Sequence, residues 1–557
     1  MKTVSYNSLK IAIAQLNPTV GNVKKNFDLI IEARVEAKKN NADLIVFTEL
    51  FLSGYPPEDL VLRDAFLEEI NDYLEKLLQI ADDGGPAILV GLPTKKNGNV
   101  YNSVALIDNG KIISVQNKVH LPNYDVFDEE RIFCQGDMPG PMNFRDIKIG
   151  VAICEDVWFE DVVECLTETG AELLIVLNGS PFTRNKHDLR INIAMQRVVE
   201  SKLPLIYVNQ VGGQDELVFD GGSFVINSDF SVPLKLQNFT SSVINTIWKK
   251  ESNNWICSTK GEVENNQDLI DIYSACVLGL RDYVKKNKFK EVIIGLSGGI
   301  DSALVACIAV DALGSGNIQC VMLPSKYTSK ESLHDAKLCA KYLNIIADEI
   351  SIENIVQITE KELQPFFLGL DKDVTEENIQ SRIRALLLMS LSNKFNRLLL
   401  TTGNKSEMAV GYATLYGDMS GAYNPIKDIY KTEVYKIAKL RNQNKPKIAL
   451  GPSGLIIPEN IINKPPTAEL RENQTDQDSL PDYDILDDIL YKLIEEEMSV
   501  LDIIKSGHDK DWVSKIQNLL FISEYKRRQA PPGVKISHKN FGKDRRYPIT
   551  NNYRDSN

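Results

Sequence analysis

The stretch EVIIGLSGGIDSALVACIAVDAL, residues 291–313, reads without interruption as an apolar strand, a glycine turn and a helix. Val292, Ile293 and Ile294 leave no polar position for a solvent face, as expected of a strand inside a parallel sheet. The loop that follows, Gly295, Leu296, Ser297, Gly298, Gly299, Ile300, Asp301 and Ser302, lets the backbone N–H groups of Ser297 to Ser302 point at an anion at the helix N-terminus. The Lys-Ser/Thr pair of a Walker A loop is missing, and Asp301 stands there instead. An acidic side chain in a phosphate cradle calls for a mediating metal, so the loop predicts Mg2+ between Asp301 and the phosphates. That suits pyrophosphate as leaving group and attack at the α-phosphorus. A plain strand-to-helix turn accounts for a lone Ser-Gly pair but poorly for SGGIDS in this setting.

Outward from this loop, an amphipathic helix (DLIDIYSACVLGLRDYVKKN, 268–287) precedes it, and helices alternate with short strands such as IQCVMLP (318–324) and RLLLTTG (397–403) after it. That alternation predicts a doubly wound parallel sheet for the second half. The first half has a different rhythm. LKIAIAQLN, ADLIVFTEL, PAILVGLP, VYNSVALID, KIISVQNK, IKIGVAIC, AELLIVLN, LPLIYVNQ and GGSFVINS read as strands, with helical periodicity in NFDLIIEARVEAKKN (26–40) and AFLEEINDYLEKLLQIADD (65–83). Nine strands with few helices fit a layered α/β sandwich better than a doubly wound sheet. The polar stretch WKKESNNWICSTKGEVENNQ (248–267) is the candidate linker, giving domains of 1–247 and 268–557.

The chain has 557 residues, enough for more than one core, and its composition (43% hydrophobic, 25% charged) is that of a soluble globular protein. A net charge of −13 argues against nucleic acid as a bulk partner. The last 37 residues invert the sign, with nine basic against three acidic side chains, and hint at a local anion site. Eight Cys lie scattered without CxxC spacing, several inside apolar runs, and read as reduced, mostly buried thiols. No signal peptide and no membrane-length apolar run is recognisable, so the expected location is cytoplasmic.

Three strand ends in the first half carry reactive groups. Cys154 ends IKIGVAIC just before a helix start, where backbone amides can stabilise a thiolate and an oxyanion. Glu49 ends LIVFTEL and Lys118 ends KIISVQNK. A thiol, a carboxylate and an ammonium supply nucleophile, general base or acid, and stabiliser for acyl transfer from an amide. His120 and His187 leave a Cys–His pair open.

Both halves resemble known families. FTE, the Lys of KVHLPNY and the Cys of ICEDVW resemble the Glu-Lys-Cys triad of the nitrilase-like carbon–nitrogen hydrolases over about residues 7–240. The resemblance implies an α-β-β-α sandwich, prefers Glu49, Lys118 and Cys154 over any histidine, and implies Tyr124, Glu155, Ser180 and Lys186 as the glutamine pocket. Asp125 and Ile132 depart from the small residue and the Tyr that the family often has there. SGGIDS resembles the pyrophosphate loop of the adenine nucleotide α-hydrolase-like synthetases. ENIQSRIRALLLMSLSN (377–393), LTTGNKSEMAVGYATLYGDMSGAYNPIKDIYKTEVYKIA (400–438) and KPPTAEL (464–470) are similar to segments of NAD synthetases. By that resemblance Thr402, Lys431 and Thr467 contact ATP, and Asp301 and Glu407 hold Mg2+. Asn378, Asp418 and Lys526, with Glu407, meet the deamido-NAD substrate. Read on their own, Arg382 and Arg384 belong to the solvated face of an amphipathic helix, Glu407 is an acid favoured by a helix start, and Lys526 is part of a solvated charge run.

The whole chain therefore resembles the glutamine-dependent NAD synthetase family. The resemblance implies ATP-dependent amidation of deamido-NAD with ammonia from glutamine, a homo-oligomer, and no nucleic-acid or membrane partner. Two alternatives stay open: the same modules acting on a different acceptor, and a nucleotide sensor with a degenerate amidase half.

Overall fold

The computed structural model describes residues 7–252, 254–261, 268–472 and 474–555. The chain forms two compact units, one of Met1–Gln214 with Val218–Asn266 and one of Asp215–Leu217 with Gln267–Asn557.

The first unit contains strands β1 (Ser8–Gln15), β2 (Leu44–Val46), β3 (Ala87–Lys96), β4 (Asn99–Asp108), β5 (Lys111–Asn117), β6 (Met142–Phe144), β7 (Ile147–Ile153), β8 (Leu173–Asn178) and β9 (Leu205–Asn209). After them come β10 (Val211–Gln214), β11 (Leu217–Asp220), β12 (Phe224–Ile226), β13 (Leu234–Lys235), β14 (Ser242–Glu251) and β15 (Asn254–Cys257). They build a seven-stranded sheet, β15-β14-β1-β2-β3-β4-β5, and a six-stranded sheet, β13-β12-β9-β8-β7-β6, with β10 and β11 as a separate ribbon. Period-two alternation explains the apolar runs. Leu173, Ile175 and Leu177 of β8 join Ile11, Ile13, Leu44, Val46 and Leu89 of the other sheet in one core. The alternate residues Leu174 and Val176 instead pack with Val162, Leu166, Ala194 and Val198 of helices α1 (Asp161–Glu168) and α2 (Lys186–Ser201). A strand covered on both faces has no place for a polar side chain, and the α-β-β-α sandwich follows.

All nine expected strands form, but the expected linker does not. Ser242–Glu251 and Asn254–Cys257 pair as the antiparallel strands β14 and β15, with Trp248 opposite Cys257, and β14 pairs along the whole of β1. Trp248 and Trp255 are fully buried. Their inward rings anchor a ribbon whose exposed residues from 249 to 254, among them Lys249, Glu251 and Asn254, are polar, which is why the segment reads as a linker. Residues 262–267 of that expected linker lie outside the described residues.

The second unit is built on a four-stranded parallel sheet, made of β16 (Val292–Gly295), β17 (Ile318–Met322), β18 (Ile346–Glu349) and β19 (Leu398–Leu400) in the order β18-β17-β16-β19. Strand order reverses beside β16, where ligands bind in doubly wound folds. The helix following β16 (Ile300–Leu313) is buried almost all round, and the one before it (Asp268–Lys286) has a broad buried face. The helix over Val374–Phe395 is not the amphipathic one expected: Ile379, Ile383 and Ala385 are buried while Leu386 and Met389 are exposed.

Candidate active sites

In the first unit the three strand ends meet. Lys118 Nζ lies 2.7 Å from Glu49 Oε1, both side chains fully enclosed. The same Glu49 oxygen accepts from Asn102 Nδ2 at 2.8 Å, and Oε2 accepts from the Gly179 amide at 2.8 Å. Cys154, 4% exposed, follows β7 at a backbone φ of +47°, a conformation a non-glycine residue keeps only when its surroundings impose it. Burial, with the charge of Glu49 adding and that of Lys118 opposing, lifts its thiol well above the usual range, so a base is needed to release the proton.

Sequence reading missed two residues here. Glu129 takes both remaining hydrogen bonds of Lys118, at 2.9 and 3.0 Å, and accepts from Tyr55 Oη at 2.8 Å. Burial pushes its carboxyl up to about 7 against the pull of Lys118. Although burial works against the ammonium of Lys118, Glu129 and Glu49 together lift it well above its ordinary value. Asp156 is the second: Oδ1 accepts from the amides of Val119 (3.0 Å) and His120 (2.8 Å), and Oδ2 from that of Ile153 (3.1 Å). One carboxylate therefore ties the residue after Lys118 to the residue before Cys154.

The expected pocket residues lie at this end of the sandwich. Tyr124 Oη donates to Glu155 Oε1 at 2.8 Å. Ser180 is pinned by Arg190, whose Nε reaches its hydroxyl at 3.0 Å and whose Nη2 reaches its carbonyl at 2.8 Å. Lys186 stands over the rings of Phe127 and Trp158 at 5.8 and 5.6 Å. Neither histidine joins the site: the His120 ring meets Asp161 at 2.9 Å, and burial takes His187 down to about 4, leaving it neutral.

In the second unit the glycine loop borders an open cavity of about 330 Å³ lined by residues 295–302, Thr402, Glu407, Asp418, Lys431 and Thr467. Gly298 has φ +85°, and a Cβ there would come within 2.2 Å of the Ser332 carbonyl, so no other residue allows the loop to lie against the helix Lys330–Tyr342. The amides of Ser297 and Gly299 bond to loop hydroxyls, Ser302 Oγ at 3.3 Å and Ser297 Oγ at 3.2 Å. That corrects the expectation that every amide from 297 to 302 faces an anion; the first-turn N–H groups of the helix Ile300–Leu313 are the donors left by geometry.

Asp301 and Glu407 converge on one cation, the ammonium of Lys431, which bonds Asp301 Oδ2 and lies 3.2 Å from Glu407 Oε1. Asn404, also missed by sequence, sits between the carboxylates: its Nδ2 donates to Asp301 Oδ1 at 2.9 Å and its Oδ1 caps the Glu407 amide at 3.0 Å. Burial, opposed by Lys431, raises the Glu407 carboxyl to about 8. Two hard carboxylates already focused on one positive charge fit a divalent ion completed by phosphate oxygens and water.

Other expected residues divide. Thr467 donates to the Gln474 carbonyl at 2.6 Å, shaping the loop it sits in. Asn378 Oδ1 accepts from Thr414 Oγ1 (2.9 Å), Asp418 Oδ1 from the Thr414 amide (2.7 Å), and Lys526 Nζ donates to the carbonyls of Gly411 and Ala413 (both 2.8 Å). The three gather on segment 411–418, and of them Asp418 lines the cavity. Arg384 is not solvated: it lines the cavity, donates to the Leu323 carbonyl at 3.0 Å, and burial lowers it to about 10. Part of the basic tail is paired within itself: Arg527 and Arg545 share Glu524, and Lys535 meets Asp544.

Comparison with known proteins follows the same division. Residues 10–248 match the carbon–nitrogen hydrolase family and residues 272–530 the NAD synthase family. The chain is 48% identical over 547 residues to the glutamine-dependent NAD(+) synthetase of Rhodobacter capsulatus, covering 98% of this chain and 99% of that protein. It is 44% identical to that of Acinetobacter baylyi, covering 98% and 99%. The structure of the glutamine-dependent NAD+ synthetase from Acinetobacter baumannii in complex with ADP superposes with a TM-score of 0.78 at 40% identity, covering 99% of this chain and 100% of that one.

Proposed function

The chain belongs to the glutamine-dependent NAD(+) synthetases, and from that membership we propose that it amidates deamido-NAD to NAD, with glutamine supplying the nitrogen and ATP driving the reaction. The carrying observation is that one chain holds both a sealed Glu49–Lys118–Glu129 cluster at the Cys154 turn and a glycine-loop cavity with two carboxylates focused on one cation.

In the first site Glu49 takes the Cys154 proton and the thiolate attacks the amide carbon of glutamine. Lys118 and backbone amides at the turn stabilise the oxyanion, and ammonia leaves with the proton returned. Water then cleaves the thioester to glutamate. Tyr124, Glu155, Ser180 and Lys186 bind glutamine; the lysine over two rings suits its α-carboxylate. In the second site the glycine loop, Thr402, Lys431 and Thr467 hold ATP, and the deamido-NAD carboxylate attacks the α-phosphorus, breaking its bond to the β-phosphate bridging oxygen so that pyrophosphate leaves and the acyl adenylate forms. Asn378, Glu407, Asp418 and Lys526 position the dinucleotide, and ammonia then replaces AMP on the acyl carbon. Asp301 and Glu407 would hold Mg2+, which when bound offsets charge developing on the phosphates. Lys431 is then free to turn toward a phosphate.

The proposed assembly is a homo-oligomer, read by light scattering, and the proposed location is the cytoplasm. No helix among the described residues is long and apolar enough to cross a membrane. The activity is tested by supplying deamido-NAD, MgATP and glutamine. NAD, AMP and glutamate are expected; ADP in place of AMP, or no NAD, ends the reading. With Cys154→Ala, synthesis from glutamine is lost and synthesis from ammonium salts is kept.

A further inference from the structure

The nucleotide cavity contains two carboxylates that the steps above leave idle, Glu469 and Asp476, and Glu469 is already held by Ser329, Ser332 and Lys464. Asp476 lines the cavity and is 4% exposed. Its Oδ2 accepts from Tyr483 Oη at 2.8 Å, while its Oδ1 is buried with no hydrogen-bond partner among the described residues. A carboxylate oxygen shut away from water without a donor is costly, so such an atom marks the place of a missing donor. Two kinds of ligand could supply it, a second metal ion or a small N–H donor.

The surroundings favour the donor. The two carboxylates suited to a metal ion, Asp301 and Glu407, already share the ammonium of Lys431. Around Asp476 stand phenols: Tyr412, Tyr435 and Tyr483 all feel its charge, the hydroxyls of Tyr412 and Tyr483 lie against the carboxylate, and Tyr412 and Tyr435 line the cavity. The Tyr483 ring already faces a cation, with Lys431 Nζ 5.4 Å from its centroid. A carboxylate among phenol hydroxyls, beside a ring that already faces a cation, offers the hydrogen-bond acceptors that hold ammonia or ammonium.

We propose that Asp476, with Tyr412, Tyr435 and Tyr483, is the dock for the nitrogen nucleophile of the amidation step. The inference rests on the amidation reading above. Ammonia donates one N–H to Asp476 Oδ1, leaving its lone pair free. That pair forms the C–N bond to the acyl carbon, the C–O bond to AMP breaks with its electrons going to AMP, and the surplus N–H proton passes to Asp476 Oδ1.

The test uses the full-length enzyme with ammonium chloride as nitrogen source at one fixed pH. Asp476→Asn keeps an oxygen for Tyr483, so the fold is preserved. The KM for ammonium is expected to rise tenfold or more. Deamido-NAD-dependent exchange of pyrophosphate into ATP, which reads only the adenylation step, stays within twofold with the same Mg2+ dependence. An unchanged ammonium KM overturns the dock, and so does a fall in exchange with a shifted Mg2+ dependence, which would place Asp476 on the metal. Tyr412→Phe, which keeps the ring, is the second variant, with a threefold rise in ammonium KM expected and no change overturning the proposal. If the wild-type enzyme shows no deamido-NAD-dependent exchange, the amidation reading fails rather than the dock.

Discussion

Each unit sets a lysine between two carboxylates, and the two arrangements differ in what encloses them. Lys118, Glu49 and Glu129 have side chains 0%, 0% and 6% exposed. Lys431, Asp301 and Glu407 are 3%, 16% and 19% exposed and stand on the wall of an open cavity. Removing one partner of a sealed ion pair strands a charge, at about 3–5 kcal/mol, so the first cluster can only work as it stands. The second is the arrangement proposed above to exchange its ammonium for a metal ion and phosphates, its carboxylates already reaching toward solvent. The same three charges are therefore fixed machinery in one unit and an occupied berth in the other.

The sharpest way to break this contrast is Asp301→Ala. NAD formation from glutamine and from ammonium should both fall about a thousandfold or more, the loss expected when a phosphate-neutralising metal is removed, while glutamine hydrolysis continues. Ammonium-driven synthesis within tenfold of wild type would mean that the berth is not where phosphates are held. Next comes Glu129→Gln, which leaves Lys118 with a single carboxylate. Glutaminase kcat should drop by about a hundredfold, a typical loss when a positioned acid–base system is disturbed, with ammonium-driven synthesis unchanged. An unaltered glutaminase rate would reduce Glu129 to packing.

The smallest effect belongs to His187, buried with neither ring nitrogen hydrogen-bonded among the described residues. Burial without a partner suppresses a charge instead of orienting it, and the residue sits at about 4 against an ordinary 6.5. The unfolded chain then binds more protons between those values, so stability is full above pH 6.5 and is lost as pH falls toward 4. The loss reaches roughly 3 kcal/mol at most. Denaturant midpoints across that window should slope less for His187→Gln than for wild type; equal slopes would show that the imidazole is solvated.

What the sequence disclosed follows from local chemistry. Glu49, Lys118 and Cys154 are legible because each ends an apolar run, and a strand end is a local signal. Glu129 is not, because it lies in a short turn (Glu129–Arg131) within DVFDEER, and only tertiary packing decides which of those acids turns inward. Arg384 is hidden for the same reason, since the helix that carries it shows charged residues on a side that neighbouring elements then cover. The β14–β15 pair looked like a linker because its exposed polar residues from 249 to 254 dominate its composition, although Trp248 and Trp255 were visible within it. In the basic tail, Glu524 lies three residues before Arg527 and pairs with it, so composition alone does not say which of the tail's cations stay available to an anion.

The β14–β15 pair has a spectroscopic consequence. The chain has four tryptophans, at 158, 248, 255 and 512. Three lie in the first unit, where Trp248 and Trp255 are sealed from water and should emit toward the blue, and Trp512 alone lies in the second. Replacing Trp512 with Phe would turn intrinsic fluorescence into a reporter of the glutamine-hydrolysing unit alone, so its unfolding could be followed inside the intact two-unit chain.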